Sequence, residues 1–200
     1  MKNILGDYNV MLLHSPMLNQ DGEYGGMSNP VIYDKFATFM KFQTEAPKIV
    51  WDAFANRFGD CIEFFINRGI EVISHNIDPE HPSVLKRNST ICGPGKKVGG
   101  VIIHPPYFGS SPQSNKEGEL SLCPEVGYFI GLSNHVGLVV DSLDEKGYVC
   151  AVGRHYRTKG RAIRLDEWFV GKFSGLNFKL VEVWRSTPDV AIVMQKFHVW

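Results

Sequence analysis

One stretch of the sequence, residues 48–78, constrains the fold more than any other. Residues 48–54, KIVWDAF, contain a short apolar run that ends at Asp52, which is the pattern of a buried strand. Residues 60–68, DCIEFFINR, predict a helix closed by Gly69, and residues 70–77, IEVISHNI, predict a second strand that ends before Asp78. A strand, a helix and a second strand within about 30 residues form a βαβ unit, whose two strands are parallel.

The remaining pattern continues this alternation of helices and strands. Further helices are predicted over residues 31–45, with Asn29-Pro30 as the helix start, and over residues 125–141 and 163–173. Further strands are predicted over residues 98–103 and 147–153. Two strand-like runs, NFKLVEVWRS and DVAIVMQKF, lie on either side of Thr187-Pro188 and predict an antiparallel hairpin at a sheet edge. The expected fold class is therefore α/β, with a mainly parallel sheet and a C-terminal antiparallel hairpin.

The length and composition favour one domain spanning residues 1–200, because no linker is visible. Within it we expect residues 1–30 to be rich in loops and residues 108–124 to form a mobile loop, since both are rich in Gly, Ser and Pro. No apolar run reaches the ~18 residues of a membrane span, and the N-terminus lacks the pattern of a signal peptide, so we expect a cytoplasmic protein without a membrane partner.

The cysteines and the charges exclude some classes of protein. The four cysteines form no C-x-x-C pair, which argues against a zinc or other metal site and favours buried free thiols. Lys and Arg number 21, as do Asp and Glu, so the chain is not a uniformly basic nucleic-acid binder. Residues 154–164 are locally basic, however, and form either a solvated loop or a loop that contacts phosphates. Their five basic residues are Arg154, Arg157, Lys159, Arg161 and Arg164.

The turn after the first predicted strand is the first candidate site. Ligands of parallel α/β sheets bind at the carboxyl ends of the strands, where a turn and a helix N-terminus supply backbone N–H groups. Asp78 follows the second strand of the unit, where a carboxylate can accept a hydrogen bond from a ribose hydroxyl. An ordinary βαβ connection would show the same pattern, so this turn alone leaves both interpretations open.

The second candidate site is the tetrapeptide His104-Pro105-Pro106-Tyr107, which follows the strand VGGVII. Two consecutive prolines fix φ and remove two donors, which leaves carbonyl groups in set directions. Such carbonyls can accept from an exocyclic –NH₂ group, and Tyr107 can stack on a planar base, as in sites for a flipped nucleobase. The alternative is a rigid turn beside a core tyrosine.

Together these two sites resemble the S-adenosylmethionine-dependent DNA amino-methyltransferases. The segment IVWDAFANRFGDCIEFFINRGIEVISHNIDP resembles the cofactor segment of that family, whose turn reads D-P-F-x-G-x-G, and VIIHPPYFG resembles its catalytic [DNSH]-P-P-[YFW] motif. The likeness covers roughly residues 28–197, and it implies a Rossmann-like methyltransferase fold with S-adenosylmethionine as cofactor. Two family glycines are replaced, by Asn56 and Phe58; Asn56 could substitute because asparagine tolerates left-handed backbone geometry.

The resemblance assigns roles to individual residues. It places the cofactor at the turn and the strand ends, and the chemistry at the tetrapeptide. The cofactor residues would be Asp52, Phe54, Ala55, Asn56, Gly59, Asp78 and Ser28, with Asn76 as the rival of Asp78. The catalytic residues would be His104, Pro105, Pro106 and Tyr107.

The reaction implied by the resemblance is methyl transfer to the exocyclic amine of a flipped base in double-stranded DNA, with adenine N6 favoured over cytosine N4. His104 and the Pro105 carbonyl would orient the amine, and Tyr107 would stack on the base. Only a neutral imidazole can accept from the amine, so activity should fall at low pH. The basic run 154–164 would contact DNA phosphates.

Other functions remain open from the sequence. A catalytically inactive relative that binds DNA or protein fits the glycine-poor turn, and an RNA or protein amine methyltransferase fits the tetrapeptide. No target-recognition domain of the usual size fits within 200 residues. A homodimer or a very short recognition sequence would compensate for its absence.

Overall fold

The computed structural model describes residues 10–12, 29–59, 61–110, 116–158 and 160–197. Within these ranges it has ten strands and four α-helices. The strands are β1 (Val10–Leu12), β2 (Ile49–Asp52), β3 (Glu71–Asn76), β4 (Val84–Lys86), β5 (Val98–Ile103), β6 (Leu143–Gly153), β7 (His155–Thr158), β8 (Arg161–Arg164), β9 (Phe178–Ser186) and β10 (Asp189–Lys196). The helices are α1 (Pro30–Phe42), α2 (Ile62–Ile66), α3 (Glu125–Ser142) and α4 (Leu165–Ser174).

Eight strands form one sheet in the order β1-β9-β10-β6-β5-β2-β3-β4. The five strands from β6 to β4 in this order are parallel, and β10 is antiparallel to both β6 and β9. This confirms the α/β class, the mainly parallel sheet and the C-terminal hairpin. The predicted edge position of the hairpin is wrong, because β1 pairs with β9 and lies outside it.

Helices cover both faces of the sheet, as the alternation of side chains along buried strands requires. Val50, Ile102 and Cys150 point to the face covered by α1 and α2. Their neighbours Trp51 and Val101 point to the face covered by α3 and α4. Removing these apolar side chains from water is the main force that holds the three layers together.

Helix α1 begins where the sequence predicted. Asn29 is its N-cap, and the Asn29 side chain accepts a hydrogen bond from the backbone N–H of Ile32. Pro30 occupies the first helical position, where its missing N–H costs nothing. Most of the segment 1–30 lies outside the described residues, but Val10–Leu12 is a strand rather than a loop.

Two other segments differ from the prediction. Residues 154–164 contain the two-stranded hairpin β7–β8 rather than a loop, and Tyr156 pairs with Ile163 across it. In the segment 108–124, Phe108 and Leu120 are buried in the core, which anchors both ends of the predicted mobile loop. Residues 111–115, between these anchors, lie outside the described residues.

The cysteines follow the prediction only in part. Cys61 and Cys150 are buried, whereas Cys92 is exposed and Cys123 is half-buried. Among the described residues, no helix is long and apolar enough to cross a membrane. The same part of the chain has no group of three or more His, Cys, Asp or Glu residues that could hold a metal ion.

Candidate active site

The sheet has a switch point between β2 and β5. From β2 the chain continues outward through β3 and β4, whereas from β5 it continues in the opposite direction through β6. The two strands are paired in parallel, so that Asp52 lies beside Ile102 at their carboxyl ends. A crevice opens at such a switch point, and it is the usual ligand site of open α/β sheets.

A cavity lies at this edge of the sheet and joins the two candidate sites. It encloses about 540 Å³ of space between atoms, including its open mouth. Its walls come from the turn after β2, the ends of β3 and β4, the tetrapeptide after β5, and residues 118–120. The lining includes Phe54, Ala55, Asn76, Ser89, His104 and Pro106.

The turn after β2 is built without the two family glycines. Asn56 does not adopt the left-handed conformation; its side-chain oxygen accepts from the backbone N–H of Phe58 at 3.0 Å instead. The Phe58 ring is 53% exposed and does not line the cavity, so it does not obstruct a ligand there. Gly59 has a φ of +68°, which favours glycine, and a Cβ at this position would lie 3.0 Å from the His81 ring.

Asp52, expected to bind the cofactor, is 2% exposed and lies behind the cavity rather than in its lining. Its carboxyl group accepts a hydrogen bond from the Tyr33 hydroxyl of α1 at 3.0 Å. Burial raises the pKa of Asp52 to about 7, and the hydrogen bond from Tyr33 opposes this only in part. Asp52 is therefore hydrogen-bonded to a residue of α1 and is not part of the cavity lining, where a cofactor-binding residue was expected.

Between the two rival ribose-binding positions, Asn76 is the one that lines the cavity. Its side-chain N–H donates to the Ala55 carbonyl at 2.6 Å, and its side-chain oxygen accepts from the Asp78 N–H at 2.7 Å. Asp78 instead lies 4.0 Å from Arg57 and 3.8 Å from Lys116. Ser28, the remaining cofactor candidate, lies outside the described residues.

His104 lines the cavity, and its two ring nitrogens have different surroundings. Nε2 lies 3.2 Å from the Tyr107 hydroxyl oxygen. Nδ1 is buried and has no hydrogen-bond partner among the described residues. Burial lowers the pKa of His104; the Asp189 charge opposes this shift and the Arg154 charge adds to it. The imidazole is therefore neutral at physiological pH, as the sequence-based mechanism requires.

Tyr107 follows the same turn but does not line the cavity. Its hydroxyl donates to a carboxylate oxygen of Asp189 at 2.9 Å. The guanidinium of Arg154 lies 4.4 Å from the centroid of its ring, so one ring face already has a cationic partner. The rings of Tyr156 and His104 also lie near it, with centroids 5.5 and 5.9 Å away, so stacking of a base on Tyr107 remains a prediction.

Asp189 is a site residue that the sequence did not indicate. It is 1% exposed and lies at the start of β10, on the edge of the sheet where the parallel strands end. Nε of Arg154 donates to it at 3.0 Å, and the side-chain N–H of Asn29 donates to its other oxygen at 3.0 Å. The sequence indicated Tyr107 and Arg154 for other roles and Asn29 as a helix start. No pattern linked any of the three to Asp189, because folding brings these distant segments together.

The basic residues of 154–164 have unequal surroundings. Arg161 pairs with Glu125 at 2.8 Å, and Arg164 pairs with Glu167 at 3.0 Å. Arg157 is exposed on the hairpin, and Lys159 lies outside the described residues. Contact of this surface with DNA phosphates remains a prediction.

A second polar group includes His75 and Ser89 of the cavity wall and His135, which lies outside the lining. The Trp51 indole donates to Nδ1 of His75 at 3.2 Å, and Nδ1 of His135 lies 2.7 Å from the Ser89 carbonyl. Both histidines are fully buried, and burial lowers the pKa of each to about 4. They are therefore neutral donors and acceptors within the wall.

Several solved structures share this fold. A 1,6-didemethyltoxoflavin-N1-methyltransferase from Burkholderia thailandensis, solved with S-adenosylhomocysteine bound, matches with a TM-score of 0.58 and 12% identity over 85% of this chain and 80% of its own. An rRNA methylase from Streptococcus thermophilus matches with a TM-score of 0.54 and 12% identity over 86% of this chain and 99% of its own. A TehB-like S-adenosylmethionine-dependent methyltransferase from Corynebacterium glutamicum matches with a TM-score of 0.53 and 11% identity, over 82% of this chain and 87% of its own.

At these identities the likeness shows the fold, which is the Rossmann-like fold of these methyltransferases. No family profile matches the sequence, and no curated protein is significantly similar to it.

Proposed function

We propose that this protein is an S-adenosylmethionine-dependent methyltransferase that methylates the exocyclic amine of an extruded base in DNA, adenine N6 before cytosine N4. One observation carries the proposal: His104 and the turn after β2 line the same cavity at the switch point of the sheet. The fold is one that S-adenosylmethionine-dependent enzymes use. The tetrapeptide supplies the likeness to enzymes that methylate amines of bases.

The residues of the cavity fit an adenosyl cofactor in character. Phe54 and Leu120 offer apolar surface for a purine, and Asn76 and Ser89 offer polar groups near it. The exposed ring of Phe58 leaves the backbone of the turn accessible despite the missing glycines. When bound, S-adenosylmethionine supplies an electrophilic methyl group that a nucleophilic amine can take without a covalent enzyme intermediate.

The protein's own part in this reaction is to orient the amine and to accept its proton. Nδ1 of His104 is a buried acceptor without a partner among the described residues, and it belongs to a residue of the cavity wall. The Tyr128 hydroxyl donates to the Pro106 carbonyl at 3.1 Å. Pro105 is buried and does not line the cavity, so the assignment of its carbonyl as the second acceptor rests on the resemblance alone. Two fixed acceptors would direct the amine lone pair towards the methyl group, and orientation supplies much of the rate of such transfers.

RNA is the second candidate substrate. The structural neighbour from Streptococcus thermophilus is an rRNA methylase, and the amine of a base is the same nucleophile in RNA and DNA. An inactive binding module is the remaining alternative, because the cofactor turn departs from the family pattern at Asn56 and Phe58.

The test incubates purified protein with labelled S-adenosylmethionine and either duplex DNA, folded RNA or a protein mixture, followed by mass spectrometry of the nucleosides. We expect N6-methyladenine in DNA, and its loss in H104A but not in Y148F, whose tyrosine hydroxyl bonds Gln195 and does not line the cavity. Methylation of RNA or protein alone would overturn the DNA assignment. Cofactor binding without transfer to any of these substrates would favour the inactive module.

A further inference from the structure

Asp189, Tyr107 and His104 form a hydrogen-bonded chain that leads from the interior to the cavity. The Tyr107 hydroxyl lies 2.9 Å from Asp189 on one side and 3.2 Å from Nε2 of His104 on the other. His104 lines the cavity, whereas Tyr107 and Asp189 do not. The hydrogen-bonded chain therefore connects a buried carboxylate to a side chain of the cavity wall.

Proton positions in this chain follow from the donors available. Asp189 accepts a hydrogen bond from Nε of Arg154 at 3.0 Å and one from Asn29, and a terminal nitrogen of the Arg154 guanidinium lies 2.9 Å from it in the same ion pair. It is therefore a carboxylate and can only accept. A tyrosine hydroxyl has one hydrogen, and Tyr107 donates it to Asp189. Towards His104 the Tyr107 oxygen can then only accept.

We infer that Asp189 acts through Tyr107 as a positioning residue that fixes the tautomer of His104, with the proton on Nε2 and the lone pair on Nδ1. This inference deepens the proposed function and rests on it for the role of Nδ1. In the other tautomer Nδ1 would carry a hydrogen and would repel an amine donor. The carboxylate therefore decides whether the cavity presents an acceptor or a donor to the amine.

Other features of this hydrogen-bonded chain support the positioning role of Asp189. Nδ1 of His104 is the nitrogen left without a partner among the described residues, as expected for a group that awaits a substrate. Arg154 lies over the Tyr107 ring and bonds Asp189, which holds the ring and the carboxylate in one arrangement. The arrangement resembles a histidine oriented by a buried acid in hydrolases, with a tyrosine inserted between the two.

The charged and titratable groups around His104 come from four elements. Tyr107 follows β5, Arg154 follows β6, and Asp189 begins β10. From α1, the Tyr33 ring lies 6.4 Å from the His104 ring, and its hydroxyl bonds Asp52. Loss of the Asp189 charge should lower the pKa of His104, because the positive charge of Arg154 would then act unopposed.

The tautomer is measured directly by NMR of protein labelled with ¹⁵N-histidine, with the His104 signals assigned from their absence in H104Q. We expect a protonated Nε2 and an unprotonated Nδ1 in the wild type, and a mixture of both tautomers in Y107F. Y148F is the matched control, since the Tyr148 hydroxyl bonds Gln195 away from the site and its loss should leave the His104 signals unchanged. A proton on Nδ1 in the wild type, or an unchanged tautomer in Y107F, would overturn the inference.

The variant D189N tests whether the Asp189 carboxylate acts on His104. In D189N we expect a lower pKa of His104 in the same NMR titration; an unchanged pKa would contradict the role of the carboxylate. If D189N fails to fold, Y107F still decides the inference.

In enzyme assays Y107F should lower kcat about ten-fold, the effect of one lost hydrogen bond, with little change in KM. Because the NMR needs neither cofactor nor substrate, an absence of methyl transfer by the wild type would refute the proposed function alone.

Discussion

Arg154 and Asp189 form an ion pair in which Nε and one terminal nitrogen of the guanidinium lie 3.0 and 2.9 Å from the same carboxylate oxygen. The carboxylate is buried, so removing its cationic partner leaves an uncompensated charge in the interior. We predict that R154A lowers the free energy of unfolding by about 2 kcal/mol. R157A, on the same basic segment but exposed, should change it by less than about 0.5 kcal/mol. Urea denaturation of both variants measures the difference, and equal stabilities would contradict the importance of the pair.

The variant R157A also tests whether the exposed Arg157 binds DNA. If Arg157 contacts a phosphate, R157A should reduce the salt dependence of DNA binding, with the slope of log K against log salt falling by about 1. K179A is the control, because Lys179 is exposed at the start of β9. It lies at the end of the sheet opposite to the carboxyl ends of the parallel strands, away from the hairpin. An unchanged slope in R157A would show that the hairpin is a solvated surface, the alternative left open by the sequence.

Asp52 should make stability depend on pH. Burial raises its pKa from 3.8 to about 7 in the folded protein, so between these values the folded state keeps a proton that the unfolded state has lost. Its contribution to stability therefore falls as pH rises through this window, by up to about 1.4 kcal/mol per pH unit. D52N keeps an acceptor for Tyr33 and removes the titration. The stability of D52N relative to the wild type should rise between pH 4 and pH 7; a constant difference would contradict this environment for Asp52.

His75 and His135 should have the opposite effect. Burial lowers the pKa of each from 6.5 to about 4, so between these values the unfolded state binds protons that the folded state does not. Stability from these residues is complete above about pH 6.5 and is lost as pH falls towards 4. H135Q, which retains a donor for the Ser89 carbonyl, should lose less stability between pH 7 and pH 4.5 than the wild type. An equal loss of stability in H135Q and the wild type would show that the prediction is wrong.

The parts of the fold that the sequence predicted are those with local signals. The apolar run 98–103 forms β5 with the predicted bounds, and Asn29-Pro30 begins α1, because burial and capping act on neighbouring residues. The strand β4, at Val84–Lys86, was not predicted, since three residues show no periodicity. The sequence predicts a loop where the β7–β8 hairpin lies and a helix from residue 163, because the arginines obscure the alternation that places Ile163 inward in β8.

The sequence predicted the two turns of the candidate site but not the side-chain contacts around them. The sequence indicated His104 and the turn after β2 because both follow buried strands, and the cavity joins them. The choice between Asp78 and Asn76 as the ribose-binding residue depends on the directions of two side chains near a turn. The periodicity of the sequence does not predict those directions. Asp189 was missed because its partners Asn29, Tyr107 and Arg154 come from three separate segments that only the sheet order brings together.

The proposed function requires a cofactor that binds between the turn after β2 and the tetrapeptide. Titration of ¹⁵N-histidine-labelled protein with S-adenosylhomocysteine tests this, with calorimetry on the same sample. We predict binding of one molecule, with shifts of the signals of His75 and His104, which line the cavity, and none for His155 on the hairpin. Absence of binding, or shifts at His155 alone, would contradict it.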